Sequence, residues 1–158
     1  MLYWSAPVYG YGYRQTFQPV WATTYAHALD MIKEAVQDER HDERFYDDMI
    51  KLAPTQEQKK IIAAIRDDER GHNRMFRSMY KELTGQEIPP APDEPYQKPG
   101  SYLKGLVTAL FGELAAVEKY RTIWSALPPG VYKDTVLGII MDEQKHATKY
   151  NYLYTLNK

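Results

Sequence analysis

The sequence predicts an all-α fold, a four-helix bundle. Apolar residues recur at three- and four-residue intervals in four long stretches, Pro and Gly punctuate every stretch, and the second pair of stretches repeats the first 74 residues later. The 158 residues are enough for one domain with a sizeable core.

Residues 1–20 mix Gly, Pro and Tyr without a helical period and read as an N-terminal arm preceding a bundle over 21–158. The first helix is predicted from about Trp21 to Ala53, with Ala28, Ile32, Ala35, Val36, Tyr46, Met49 and Ile50 on one stripe and Pro54 as its stop. Thr55 is a suitable N-cap for a second helix to about Thr84, with Ile61, Ile62, Ile65, Phe76, Met79 and Leu83 on its apolar face and Gly85 ending it. The stretch over 85–100 is too rich in proline for helix or sheet and reads as an extended crossover. A third helix follows from about Ser101 to Leu127, closed by Pro128, Pro129 and Gly130, and a fourth runs from about Tyr132 to Leu156.

The repeat joins these elements into two hairpins. Glu39 pairs with Glu113, Tyr46 with Tyr120, Pro54 with Pro128, Glu69 with Glu143 and His72 with His146, each 74 residues apart. A crossover of about 16 residues at roughly 3.3 Å each reaches some 50 Å, whereas a helix of about 28 residues is some 42 Å long. The crossover can therefore span the bundle, making the second and third helices parallel and relating the hairpins by an approximate two-fold axis.

Composition narrows the function. Twenty basic against 21 acidic residues, a net charge of -1, argue against a nucleic-acid binder. The absence of cysteine excludes disulfides, thiolate metal sites, iron-sulfur clusters and thiol catalysis within this chain. No basic and apolar leader and no uncharged span is present, so a cytoplasmic location without membrane contact is expected.

The chemistry lies in two Glu-x-x-His motifs, in Asp68 to His72 (DERGH) and in Asp142 to His146 (DEQKH). Residues three apart share a helix face, so each carboxylate and imidazole can address one point. Glu69 and His72 lie on the stripe of Ile65 and Phe76, and Glu143 and His146 on that of Ile140 and Tyr150. Glu39 and Glu113 sit on the apolar stripes of the first and third helices. Four carboxylates and two imidazoles in a bundle interior must take up protons or bind cations, and two divalent metals would neutralise four carboxylates. One Glu from each of two helices and Glu-x-x-His from each of the others is the layout of di-iron and di-manganese carboxylate bundles. Glu43 and Glu118 break the 74-residue correspondence and read as surface or ion-pair residues, and His27 and His41 have no partner in the repeat.

From about Trp21 to Asn157 the chain resembles the ferritin-like superfamily, on the rubrerythrin and bacterioferritin side, because both halves carry the full motif. The resemblance implies that Glu39, Glu69, His72, Glu113, Glu143 and His146 are metal ligands, with Glu69 and Glu143 bridging. It also implies that Asp68 and Asp142 accept from the histidine of the opposite motif. Tyr46 and Tyr120 are candidates for a catalytic role beside the metals, with packing as the simpler reading. The chain departs from these families at several points. It lacks the cysteines of a rubredoxin-type iron centre, has Ala116 where rubrerythrins usually carry a further glutamate, and has Arg70 rather than a haem-binding methionine after Glu69. It also stops at Lys158, short of the fifth helix that ferritin cages use. The implied cofactors are two iron ions, or manganese, without haem. The implied function is an oxidoreductase reducing hydrogen peroxide or dioxygen, fed by a separate electron-donor protein and working as a homodimer. Iron handling and a metal-stabilised structural role are the alternatives.

Overall fold

The computed structural model describes residues 19–37, 39–90 and 96–158, and gives no account of the side chains of residues 39–42. The N-terminal arm up to residue 18 lies outside the described residues. Among the described residues five helical segments follow in order: α1 (Tyr25–Gln37), α2 (Glu39–Leu52), α3 (Gln56–Thr84), α4 (Tyr102–Ala126) and α5 (Val131–Asn157). The first begins later than the apolar pattern suggests because Thr24 caps it, its hydroxyl accepting the His27 N–H at 3.2 Å. Ahead of that cap the chain turns, with the Ala22 N–H donating to the Pro19 carbonyl at 2.9 Å.

Helical segments α1 and α2 cover the stretch where one long first helix was expected, and residue 38 between them lies outside the described residues. The buried Asn73 of α3 donates its amide to the Val36 carbonyl of α1 at 3.2 Å, tying the two helices together. The residue 74 positions after Asn73 is Ala147, which has no amide to offer.

The remaining ends follow from local chemistry. Thr55 caps α3 through the Gln58 N–H at 3.2 Å, and Ser101 caps α4 through the Lys104 N–H at 3.3 Å. Gly85 ends α3 with φ 72°, a left-handed conformation that glycine adopts without steric cost, and its N–H donates to the Lys81 carbonyl.

Two apolar clusters flank the middle of the bundle. One joins Ile32 and Val36 of α1, Phe76 and Met79 of α3, Ile123 near the end of α4, and Val136 and Ile139 near the start of α5. The other joins Tyr46 and Met49 of α2, Ile62 and Ile65 of α3, Leu106 of α4, and Tyr150 and Leu153 of α5. The clusters exchange under the 74-residue shift: Ile32 becomes Leu106, Phe76 becomes Tyr150, Met79 becomes Leu153, Met49 becomes Ile123, Ile62 becomes Val136 and Ile65 becomes Ile139. Both α3 and α4 run from the second cluster toward the first, so they are parallel, and α5 runs the other way. Between α3 and α4, Ile88 is buried in the first cluster, while the Tyr96 hydroxyl reaches Asp48 of α2 at 3.2 Å. Residues 91–95 of this connection lie outside the described residues. No helix among the described residues is long and apolar enough to cross a membrane.

Close approach fixes Gly105 at the start of α4. A Cβ there would overlap Met49 Sδ and come within 3.2 Å of Pro99 Cβ. Met49 is fully buried, so it has little room to move. Gly105→Ala is therefore expected to lower stability by about 1–2 kcal/mol through overpacking, even though alanine is the better helix former. Denaturant unfolding measures this, and a gain in stability would contradict the packing argument.

Candidate metal centre

Between the two apolar clusters, α3 and α5 face each other with their Glu-x-x-His turns. Three-residue spacing on each helix sends the carboxylate and the imidazole inward together. His146 is fully buried, Glu143 is 1% exposed and His72 is 3% exposed, so the interior of this bundle is ionisable at its centre.

The two carboxylates of the motifs are arranged alike. Glu69 places Oε2 3.5 Å from His72 Nδ1 and Oε1 2.9 Å from His146 Nδ1. Glu143 places Oε1 3.1 Å from His72 Nδ1 and Oε2 3.4 Å from His146 Nδ1. Each therefore turns one oxygen toward each histidine. Glu113, from α4, approaches only the His146 side, with Oε2 3.6 Å from Nδ1. Ligand atoms of Glu69, Glu113, Glu143 and His146 all lie within 4.8 Å of one another. Glu39 opens α2, and its side chain lies outside the described residues.

The outward nitrogen of each imidazole is held by the opposite motif. His72 Nε2 is 3.2 Å from Asp142 Oδ2, and His146 Nε2 is 3.0 Å from Asp68 Oδ2. A proton on Nε2 pointing at a carboxylate leaves Nδ1 facing the centre, the tautomer in which Nδ1 can coordinate a metal. Lys145 joins the two pairs, its ammonium 2.6 Å from Asp142 Oδ1 and 3.3 Å from Asp68 Oδ2. Burial pushes both aspartates up, but their imidazole and ammonium partners outweigh it and hold them below the ordinary carboxylate range. Sequence reasoning did not select Lys145. Its counterpart 74 residues earlier is Gly71, so the repeat gave no signal for it.

Tyr46 is buried and directs its hydroxyl to Glu113 Oε1 at 3.4 Å. Tyr120 is half-buried and packs against Phe76 with ring centroids 5.0 Å apart. Arg70 turns away from the centre to Glu43, at 2.7 Å, and to Asp67. Glu118 is exposed.

The electrostatics are those of a centre built for more positive charge than the side chains supply. Burial alone would lower both histidines, yet the carboxylates of Glu143 and Glu69 push His72 up to about 10, and those of Glu113, Glu143, Glu69 and Asp68 push His146 up to about 12. Burial raises Glu113, reinforced by Glu143 and Glu69 beside it. Glu143 moves down, because the two histidines and Glu113 together outweigh its burial. Protons therefore fill the centre when nothing else does. Even so, Glu69 Oε1, both oxygens of Glu143 and both Nδ1 atoms are buried without an aligned hydrogen bond. Such orphaned atoms are rare in protein interiors unless an ion or water belongs there. Converging carboxylate oxygens and imidazole nitrogens suit iron or manganese.

A cleft of about 660 Å³ opens from Glu69, Glu113 and Glu143. Ala109, Gly112 and Ala116 of α4 form one wall, and Phe45, Tyr46, Tyr96 and Tyr120 supply aromatic rings. A much narrower opening, about 40 Å³, lies beside His72 and is rimmed by Glu43, Arg66 and Arg70.

An all-helical bundle with this carboxylate and imidazole cluster at its middle is ferritin-like in class. Residues 12–99, more than half of the chain, match the family model described as Rubrerythrin, and the chain belongs to that family. The chain is 29% identical over 121 residues to the uncharacterized protein YhjR of Bacillus subtilis (strain 168), an alignment covering 77% of this chain and 82% of that protein. No solved structure gives a significant match.

Proposed function

We propose that the protein is a non-haem dinuclear iron oxidoreductase that reduces hydrogen peroxide or dioxygen. The observation that carries this reading is the convergence on one centre of buried carboxylate oxygens and both histidine Nδ1 atoms, without an aligned hydrogen bond among them. Glu69 and Glu143, each with one oxygen toward each histidine, are suited to bridge two metals. His72, His146 and Glu113 would hold the metals with them, and Glu39 would join the set by the symmetry of the repeat. Bound iron would supply the redox couple and the polarisation of an O–O bond.

The chain's own residues do the rest. Asp68 and Asp142 hold the histidine tautomers, with Lys145 tying the two aspartates together. Tyr46, donating to Glu113 Oε1, is placed to keep a proton beside the reacting centre. The chain carries no cysteine, so a thiolate-bound iron centre cannot deliver electrons from within it. We further propose a cytoplasmic homodimer. Phe111 of α4 and Met141 of α5, 64% and 67% exposed, are apolar surface that a second copy would cover.

Anaerobic ferrous titration of the metal-free protein tests the reading. Saturation at two irons per chain is expected, followed by ferric absorbance that develops faster with peroxide than with air. Uptake far beyond two would favour iron storage, and no binding would overturn the proposal.

A further inference from the structure

The cleft is far larger than the proposed oxidants require. A water molecule's share of liquid volume is about 30 Å³ and peroxide needs roughly twice that, whereas the cleft offers about 660 Å³, within the range of small-molecule sites. Its floor is three of the carboxylates of the centre, and its walls combine small and aromatic side chains with Gln97, Thr108 and Lys119. The small side chains Ala109, Gly112 and Ala116 hold one side open, and a Cβ built on Gly112 meets nothing within 4 Å. Phe45, Tyr46, Tyr96 and Tyr120 also line the cleft, rings whose faces and edges suit another ring. A ligand matched to this shape has a flat apolar body and a hydroxyl at the end that meets the carboxylates.

We propose that the cleft binds a phenol and that the phenol is the electron donor of the peroxidase reaction. This rests on the reading above and deepens it. Two phenols each give up one electron and one proton. One hydrogen peroxide takes up both, its O–O bond breaks, and two waters form. The two phenoxyl radicals then join through a carbon–carbon bond to give a biphenol, so atoms and electrons balance without another oxidant. The phenol has two available sources: a free small molecule, or tyrosyl side chains such as Tyr3, Tyr9, Tyr11 and Tyr13 of this chain's own N-terminal arm.

Binding is tested on the metal-free full-length protein, so that it does not depend on the iron chemistry. Ligand-observed NMR with p-cresol is expected to show saturable binding that 4-methylcyclohexanol does not match. Gly112→Phe and Ala116→Trp, each filling the cleft from α4, are expected to weaken it about tenfold or more. Equal binding of the aliphatic alcohol, or p-cresol binding that neither substitution alters, overturns the proposal.

Turnover is read separately on the iron-loaded protein. Peroxide consumption should accelerate about tenfold on adding p-cresol, with biphenol fluorescence appearing in step. Oxidation of the diferrous protein by peroxide without acceleration by p-cresol overturns the phenol assignment while leaving the dinuclear oxidase intact. In the absence of added phenol, biphenol forming within the chain and lost when Tyr3, Tyr9, Tyr11 and Tyr13 are all changed to Phe identifies the tyrosyl source. Biphenol forming only with p-cresol identifies the free one.

Discussion

Loading the metal-free protein with ferrous iron at pH 7 is expected to release about three protons per chain. His72, His146 and Glu113 are the groups whose pKa values are raised to hold protons near neutrality, and each must lose one for its ligand atom to coordinate. Metal affinity should therefore rise steeply with pH, by up to about a thousandfold per unit while all three protons are displaced. Calorimetric titration in buffers of different ionisation enthalpy counts the protons, and fewer than one per chain would refute the account.

Stability has the opposite dependence in the metal-free form. For His72 the folded pKa, about 10, lies above the ordinary 6.5, so its contribution is full below 6.5 and is lost as pH rises toward 10. His146 acts with the same sign up to about 12, and the raised carboxyl of Glu113 adds to the decline from 4.5 upward. Asp68, Asp142 and Glu143 are shifted down, and their contributions are lost as pH falls below the ordinary carboxylate range. The metal-free Tm should thus be highest in mildly acidic solution and fall toward pH 9, with the decline much smaller once metal replaces the protons.

Two conservative substitutions in the same cluster should part company. Glu143 is ionised between two protonated histidines, so Glu143→Gln leaves buried positive charge uncompensated. The expected cost in the metal-free protein is about 3 kcal/mol, or roughly 10 °C in Tm. Glu113 is driven toward its neutral form by burial, and Glu113→Gln replaces one neutral, hydrogen-bonding group by another of the same shape. Its metal-free Tm should change by no more than about 2 °C. Both variants should nevertheless lose about tenfold or more in iron affinity, because an amide is a poor substitute for a carboxylate ligand. Thermal melts beside ferrous titrations separate the effects, and equal metal-free Tm losses would show that the proton assignment within the cluster is wrong.

The helices were legible because their signals are local: an apolar stripe, a capping hydroxyl, a proline or glycine at the end. The tie from Asn73 to the Val36 carbonyl was not, because it joins two helices that only the tertiary structure brings together. The motif carboxylates and histidines could be read because three-residue spacing fixes a shared face, and the repeat lifted two weak motifs into one strong pattern. Lys145 could not, since its role depends on α3 and α5 lying side by side, which brings Asp68 and Asp142 within reach of one ammonium. Nor could the cleft, which depends on the volume that Ala109, Gly112 and Ala116 leave unfilled.

Each apolar cluster draws on both halves of the chain, so neither half lines a complete core. In assembly terms the molecule is a dimer of hairpins whose subunits share one backbone. Tethering makes their encounter intramolecular, at an effective concentration of about millimolar for a short linker, so the centre forms whatever the protein concentration. It also frees the halves from identity. A true homodimer would have to repeat every substitution on both sides of its axis. This chain keeps Gly71 and Asn73 on one side and Lys145 and Ala147 on the other, and so can surround a nearly symmetric centre with two different neighbourhoods.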